Sequence, residues 1–180
     1  MVDSEPGQWR VFGERTVYDN RWVRLGLADV ETPDGRRIDY HVVHLAPVAI
    51  AMIVNQQNEV LMLWRHRFPV DTWGFELLGG LIEDGEEPVD AAAREALEES
   101  GWRPTGPAER LARFEPLPGQ VTAPVEVILW RDAVHVGDPT DLEETGRIEW
   151  VPLERVRQLA VAGQLLGAGT LVAVLTYLAR

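Results

Sequence analysis

Residues 80–102 of the chain read GLIEDGEEPVDAAAREALEESGW. The central part, Pro88–Ser100, is rich in Ala, Leu and Glu, which are residues that favour an α-helix. Pro88 suits the first turn of a helix, and Gly101 suits the cap that ends one. We therefore predict a helix over Pro88–Ser100, preceded by a loop that contains glycine.

The predicted helix carries three carboxylates within about one turn. Glu95, Glu98 and Glu99 stand at spacings i, i+3 and i+4 and therefore share one side. Small and apolar residues share the other side: Val89, Ala93, Ala96, Leu97 and Ser100. Like charges at this spacing repel each other unless a cation lies among them, and carboxylate oxygens suit Mg²⁺ or Mn²⁺. On these three residues alone, a solvated acidic helix face is the simpler interpretation.

The residues around the helix favour the metal site. They match the pattern G-x5-E-x7-R-E-U-x-E-E-x-G-U, where U is hydrophobic, at Gly80, Glu86, Arg94, Glu95, Ala96, Glu98, Glu99, Gly101 and Trp102. This pattern is the Nudix box, and the region closely resembles the Nudix hydrolase family. The resemblance implies that Glu95, Glu98 and Glu99 bind Mg²⁺ (or Mn²⁺ in its place). It also implies that Arg94 pairs with Glu86, so Glu98, Glu99 and Arg94 are expected to serve catalysis.

The rest of the chain predicts a mixed α/β sandwich, which resembles the α/β/α sandwich of Nudix proteins. Residues 9–45 read as short strands with a turn at Thr32–Gly35, and so predict a small antiparallel β subdomain over 1–45. The main domain is then 46–180. Two apolar runs joined by a polar turn, Val48–Val54 and Val60–Trp64, predict a hairpin. Further strands are predicted at Val125–Trp130 and Ile148–Val151, and two helices at Leu153–Ala162 and Gly167–Leu178.

Three features outside the box resemble the ADP-ribose pyrophosphatase subfamily. Residues 75–80, Phe-Glu-Leu-Leu-Gly-Gly, resemble its E-L-P-A-G segment, although Leu78 replaces Pro and Gly79 replaces Ala. The resemblance makes the Gly79 carbonyl a metal ligand. Arg65 and Arg67 resemble its R-Q-Y-R segment, and Pro118 lies 16 residues after Trp102. We therefore expect substrate contacts from the side chains of Arg65, Arg67, Glu76 and Pro118, where Arg would bind phosphate.

The catalytic base is the main departure from this subfamily. Ala123 and Pro124 stand where many relatives have acidic residues. Glu143 and Glu144 precede the strand at Ile148, and in some relatives a loop acid near this place activates or orients the water. We assign this role to Glu144, with a solvated loop charge as the alternative.

The N-terminal subdomain predicts a homodimer. A unit of this size buries too little surface to be stable alone, and in relatives it covers the active site of the other subunit. Trp22 would then stack on a nucleobase. The alternative is an ordinary core tryptophan.

Composition excludes several classes of function. The net charge of −12 argues against nucleic acid as a partner. The chain has no Cys, so thiol catalysis and disulfides are excluded. The longest apolar stretches, Pro47–Val54 and Leu165–Ala179, are too short or too interrupted to span a membrane, and the N-terminus has no signal-peptide pattern. We therefore expect no membrane partner and a cytoplasmic protein.

The sequence predicts Mg²⁺-dependent hydrolysis of a nucleoside diphosphate linked to another group, with ADP-ribose or an ADP-sugar as the preferred substrate. Another nucleotide sugar or a nucleoside triphosphate is an alternative within the same enzyme class. A non-catalytic, ligand-sensing Nudix domain is an alternative from another class, although such sensors usually have a damaged box.

Overall fold

The computed structural model describes residues 7–141 and 146–180, which form two compact units. The first unit contains the described residues up to Ala46 together with Glu115–Ala123. The second contains Pro47–Phe114 and the described residues from Pro124 to Arg180. The division predicted from the sequence, 1–45 and 46–180, places Glu115–Ala123 in the main domain instead.

The first unit is a four-stranded sheet in the order β1-β2-β3-β10. Its strands are β1 (Arg10–Asp19), β2 (Arg24–Glu31), β3 (Arg37–His44) and β10 (Val121–Thr122). The first three strands pair antiparallel, and β10 adds to β3 in parallel. The turn between β2 and β3 is the predicted one, because the Gly35 N–H donates to the carbonyl oxygen of Thr32 at 2.9 Å.

The described residues of the second unit form three sheets and three α-helices. One sheet has the order β7-β4-β11-β9, one has the order β13-β5-β6, and β8 pairs with β12. Their bounds are β4 (Val48–Ile53), β5 (Glu59–Arg67), β6 (Thr72–Glu76), β7 (Leu78–Leu81), β8 (Trp102–Thr105), β9 (Glu109–Phe114), β11 (Val125–Trp130), β12 (Asp132–His135) and β13 (Arg147–Pro152). The helices are α1 (Pro88–Ser100), α2 (Leu153–Val161) and α3 (Ala168–Leu178), and a short 3-10 turn covers Phe68–Val70.

The apolar residues of this unit form two cores on opposite faces of the β4-β11 ladder. Ala49, Ala51 and Ile128 pack with Ala91, Ala92 and Ala96 of α1. The alternate residues Val127 and Leu129 pack with α2 and α3 residues such as Val156, Leu159 and Val174. Because successive side chains of a strand point to opposite faces, one ladder supplies both cores. The predicted mixed α/β sandwich is confirmed.

The predicted hairpin of β4 and β5 is wrong. A single bridge, Val54 to Val60, joins these segments in the described chain, and the strands then enter different sheets. β4 pairs in parallel with β11 and antiparallel with β7, whereas β5 pairs with β13 and β6. An apolar run buried on both faces is a central strand, and its partners come from distant parts of the chain.

Helix α1 has the predicted ends. Pro88 lies in its first turn, and Gly101 caps it with φ 72°, donating its N–H to the Leu97 carbonyl at 2.7 Å. Of the three carboxylates on its acidic side, Glu99 alone is buried, together with Ala91, Ala92, Ala96 and Ser100. None of the described helices is long and apolar enough to cross a lipid bilayer.

Candidate active site

Arg94 organises the exposed part of the acidic face of α1. Its guanidinium donates to Glu86 at 2.9 and 3.0 Å, to Glu95 at 2.7 Å and to Glu98 at 3.1 Å. It also donates to the carbonyl oxygen of Leu81 at 3.0 Å. The hydrogen bond from Arg94 lowers the pKa of Glu86, and the bond to Glu86 in turn raises the pKa of Arg94. Arg94 therefore ties the loop before the helix to the helix itself.

Glu99 is different from the other two predicted metal ligands, because its side chain is only 1% exposed. Its Oε1 accepts a hydrogen bond from Nη1 of Arg65 at 2.8 Å, and its Oε2 accepts one from the Gly79 N–H at 2.8 Å. A buried carboxylate needs such partners, since an unpaired charge in the interior is costly. Glu99 thus connects α1 to strands β5 and β7.

Glu76 lies between the two arginines of β5. Its Oε2 accepts hydrogen bonds from Nε of Arg65 at 2.8 Å and from Nη2 of Arg67 at 2.7 Å. Burial by itself would raise the pKa of Glu76. The hydrogen bonds and charges of Arg67 and Arg65 outweigh this effect, so that the pKa is lowered from its usual value. The three side chains form a chain of ion pairs that ends at Glu99.

The predicted substrate contacts differ in their exposure. Arg65 is 5% exposed at the side chain, whereas Arg67 is 40% exposed. Arg65 is hydrogen-bonded to Glu76 and Glu99. This arrangement favours a positioning role for Arg65 in place of the expected phosphate contact. Arg67 retains the exposure that a phosphate contact requires.

Two adjacent glycines of β7, Gly79 and Gly80, lie very close to their neighbours. A Cβ at Gly80 would lie 2.5 Å from the carboxylate of Glu95, and one at Gly79 would lie 2.4 Å from the carbonyl oxygen of Ala49. Real side chains do not approach other atoms so closely. Gly79 therefore allows β7 to lie directly against the backbone of β4, whereas a side chain at Gly80 would displace the flexible end of Glu95.

The donor chemistry of this face suits a hard divalent cation. Glu95, Glu98 and Glu99 supply carboxylate oxygens from one helical turn, and Gly80 leaves the Glu95 carboxylate lying against the backbone. Within residues 7–141 and 146–180, however, no three acidic or histidine side chains are arranged to hold a metal ion. In this structure Glu99 is ion-paired with Arg65, and Glu95 and Glu98 are ion-paired with Arg94.

Two predicted substrate contacts, Trp22 and Pro118, belong to the first unit. Trp22 is 58% exposed, and the guanidinium carbon of Arg21 lies 4.3 Å from its ring centroid. The core alternative for Trp22 is therefore wrong. Pro118 lies in the segment before β10, next to Gly119, whose carbonyl oxygen accepts a 2.6 Å hydrogen bond from the Tyr40 hydroxyl.

The predicted base, Glu144, and its neighbour Glu143 lie outside the described residues. The residues that come just before them in the chain, Thr140 and Asp141, contact the C-terminal end of α1. The N–H groups of Thr140 and Asp141 donate to the carbonyl oxygen of Glu98 at 2.9 and 3.1 Å. The role of Glu144 stays a prediction.

Sequence reasoning missed one acid of this unit. Glu126 is 9% exposed and lies on β11, every residue of which is buried. The available signal was a single charge within the apolar stretch Val125–Trp130. Acidic residues are seldom fully buried unless they are paired, so this position needed an explanation.

Comparison with protein families agrees with this geometry. The model of the NUDIX domain matches residues 44–166, and the model of the nucleoside diphosphate sugar hydrolase N-terminal domain matches residues 9–43. The crystal structure of an ADP compounds hydrolase superposes with a TM-score of 0.82 at 19% identity, covering 98% of this chain and 95% of that one. This structural likeness concerns the fold.

Individual relatives share the sequence over most of its length. The chain is 38% identical over 171 residues to the CMP-5'-(N-acetyl-N-hydroxy-3-aminopropyl)phosphonate hydrolase of Streptomyces rubellomurinus (strain ATCC 31215), covering 95% of this chain and 82% of the relative. It is 24% identical to the ADP-ribose pyrophosphatase of Bacillus subtilis (strain 168), covering 92% and 90% of the two chains. The intact box, the fold and these matches establish that the chain belongs to the Nudix hydrolase family.

Proposed function

We propose that the protein is a Mg²⁺-dependent hydrolase that cuts the diphosphate bond of a nucleoside diphosphate linked to another group, with ADP-ribose or an ADP-sugar as substrate. The observation that carries this proposal is the ordered acidic face of α1. Arg65 and Arg94 hold its Glu95, Glu98 and Glu99 beside the Gly79–Gly80 segment. The metal, when bound, would neutralise the diphosphate and lower the pKa of the attacking water.

The residues around this face have distinct proposed roles. Glu95, Glu98 and Glu99, with the Gly79 carbonyl, are the ligands for the metal. Arg94 keeps Glu95 and Glu98 in place, and Arg65 does the same for Glu99.

The substrate side of the site is proposed to begin at β5. The exposed Arg67 binds a phosphate of the substrate, with its guanidinium oriented by Glu76. Trp22 and Pro118 are proposed contacts to the nucleoside, and Glu144 is the proposed base for the attacking water.

Two of the relatives support the ADP-linked substrate through their names, an ADP-ribose pyrophosphatase and the ADP-sugar pyrophosphatase of Mus musculus. The second is 29% identical over 113 residues, covering 57% of this chain and 52% of the relative. A different candidate substrate is favoured by the 38% identity to a CMP-phosphonate hydrolase. A phosphonate joined to CMP contains the same kind of P–O–P bridge, so the same acidic face would serve either substrate.

The test is hydrolysis in ¹⁸O-labelled water with Mg²⁺. ADP-ribose, ADP-glucose, a CMP-linked alkylphosphonate and ATP are compared, with products read by chromatography and mass spectrometry. We expect AMP and a sugar phosphate from the ADP-linked substrates, with the label on a product phosphate. Label on a ribose carbon would mean glycosidic cleavage and would contradict the mechanism. Label on phosphorus, with a strong preference for ATP or for the CMP compound, would support the mechanism but reject ADP-ribose or an ADP-sugar as the preferred substrate.

A further inference from the structure

The chain passes from one sheet to another at Leu77. Strand β6 ends at Glu76 and belongs to the β13-β5-β6 sheet, whereas β7 begins at Leu78 and belongs to the β7-β4-β11-β9 sheet. Leu77 lies between the two strands, outside the register of both ladders, and is only 4% exposed. Its N–H therefore needs an acceptor from elsewhere, because a buried N–H without one is costly.

The side chain of Thr170 is that acceptor. The Leu77 N–H donates to Oγ1 of Thr170 at 3.0 Å, and Thr170 is as deeply buried as Leu77. Thr170 lies in the first turn of α3, 93 positions later in the chain. A threonine near the start of a helix often bonds to backbone groups of its own helix. Here the hydroxyl oxygen binds a distant segment, so it links α3 to the crossing between the two sheets.

Groups on both sides of Leu77 belong to the proposed active site. Glu76, one residue earlier, accepts a hydrogen bond from Arg67 at 2.7 Å. Gly79, two residues later, donates its N–H to Glu99 at 2.8 Å, and its carbonyl is a proposed metal ligand. Because these groups follow one another along a short piece of backbone, the position of the Leu77 peptide group affects the substrate side and the metal side together.

A second contact holds β6 independently of the Thr170 side chain. The Phe75 N–H donates to the carbonyl oxygen of Gln164 at 2.9 Å, and the Phe75 carbonyl oxygen accepts from the Leu166 N–H at 2.9 Å. The two segments lie so close that a Cβ at Gly74 would be 2.5 Å from Cγ of Leu166. These backbone contacts do not involve the side chain of Thr170. A change of that side chain is therefore expected to act locally, on the crossing between the sheets.

We propose that Thr170 is a positioning residue of the active site. Its hydroxyl fixes the peptide group between Glu76 and Leu77, and thereby holds the Glu76 carboxylate and the Gly79 backbone where substrate and metal binding need them. Thr170 acts through these groups, since it is itself buried. It lies beyond residues 44–166, the part of the chain that the NUDIX domain model matches. The inference rests on the proposed function and adds to it a residue of α3.

The test compares three substitutions on α3 with the wild type. Thr170→Val removes the hydroxyl and keeps the branched shape, whereas Thr170→Ser keeps the hydroxyl and loses the methyl group. Thr176→Val is the matched control, since it makes the same chemical change at a half-buried position of the same helix.

Four measurements are made on each protein. Amide hydrogen exchange at Leu77 and Gly79 is followed by NMR without metal or substrate, and urea unfolding gives the global stability. Mn²⁺ affinity is measured from the electron paramagnetic resonance signal of the free ion. The values of kcat and KM are measured for ADP-ribose with Mg²⁺.

We expect Thr170→Val to speed exchange at Leu77 and Gly79 by about tenfold more than at other buried amides, because the Leu77 N–H loses its acceptor. Mn²⁺ affinity and kcat/KM should each fall by about tenfold, the size expected when one buried donor loses its partner. Thr170→Ser should keep the wild-type exchange, affinity and activity, and so should Thr176→Val.

Three results would overturn the inference. The first is wild-type Mn²⁺ affinity and kcat/KM in Thr170→Val. The second is equal effects of Thr170→Val and Thr170→Ser, since the hydroxyl would then not be the cause. The third is faster exchange at all buried amides in step with the lost global stability, since Thr170 would then serve the fold alone.

Failure of the proposed function would look different. A wild type that binds Mn²⁺ but leaves ADP-ribose intact would reject the proposed substrate, and the exchange and Mn²⁺ results would still decide the role of Thr170. A wild type that binds no Mn²⁺ would reject the proposed function, and this inference with it.

Discussion

The guanidinium of Arg65 donates a 2.8 Å hydrogen bond to the carboxylate of Glu99, and both side chains are at least 95% buried. Glu99 is a proposed metal ligand, whereas Arg65 was expected to bind substrate. Their contact shows that part of the acidic face is built into the core. A substitution at Glu99 is therefore expected to affect both stability and activity. A substitution at an exposed acid is expected to affect activity alone, which separates the two effects.

Replacing Glu98 by Gln should therefore be the cleaner test of the metal site. Glu98 is 42% exposed, and its side chain is ion-paired with Arg94. We expect Glu98→Gln to lower kcat by about 10²-fold or more, because it removes a charged ligand, while urea unfolding changes little. Removal of Mg²⁺ by chelation should abolish activity, and Mg²⁺ or Mn²⁺ should restore it. Full activity of Glu98→Gln, or activity in excess chelator, would reject the metal site.

Replacing Arg65 by Met should destabilise the protein strongly. Glu76 and Glu99 would lose a buried partner, and breaking such a pair costs about 3–5 kcal/mol. Arg65→Lys should recover only part of this loss, because one ammonium cannot reproduce the fork that reaches both acids. Unfolding in urea gives the free-energy change, with Arg157→Met on the exposed face of α2 as the control. A loss no larger than that of Arg157→Met would contradict the positioning role.

The pH dependence of stability should contain a contribution from Glu76. Its pKa is lowered in the folded state by Arg67 and Arg65, which outweigh burial. A lowered carboxyl pKa contributes stability above the unfolded value, near 4.5, and this contribution is lost as the pH falls through the folded pKa. The difference in unfolding free energy between wild type and Glu76→Gln should therefore shrink from pH 7 to pH 3. A difference that stays constant over this range would refute the ion-pair explanation.

The N-terminal unit should mediate a homodimer. Strand β1 is exposed along its whole length, and its large apolar side chains, Val11, Phe12, Val17 and Tyr18, lie between 48% and 68% exposed. Such a surface on a small unit is typical of an interface. Light scattering at micromolar concentration should give twice the mass of the 20.2 kDa chain. A paired substitution, Phe12→Asp with Val17→Asp, should yield monomers, and a monomeric wild type would also weaken the proposed role of Trp22.

The sequence predicts well the structural features that depend on residues close together in the chain, such as the ends of a helix. Pro88 and Gly101 define α1 to the residue, because caps and propensity act within one turn. The pairing of strands that are distant in the chain is harder to predict from the sequence. The predicted hairpin of β4 and β5 is wrong for this reason, because each strand pairs with more distant strands. The sequence also groups Glu99 with Glu95 and Glu98 on one side of α1, whereas Glu99 alone of the three is buried. Its burial depends on Arg65, 34 positions away, which no local pattern reveals.

Arg67 offers the sharpest test of substrate binding. Its guanidinium donates to Glu76 at 2.7–3.1 Å, and 40% of the side chain is exposed, so it is oriented and accessible. If the phosphate contact is equally strong in the ground state and the transition state, Arg67→Ala should raise KM by roughly 10- to 100-fold and change kcat much less. Arg67→Lys should keep part of the affinity through its charge. The paired measurement on Glu76→Gln, which loosens Arg67 without removing it, should show a smaller rise in KM. If Arg67→Ala lowers kcat with KM unchanged, Arg67 acts in the transition state alone, and the proposed ground-state phosphate contact is wrong.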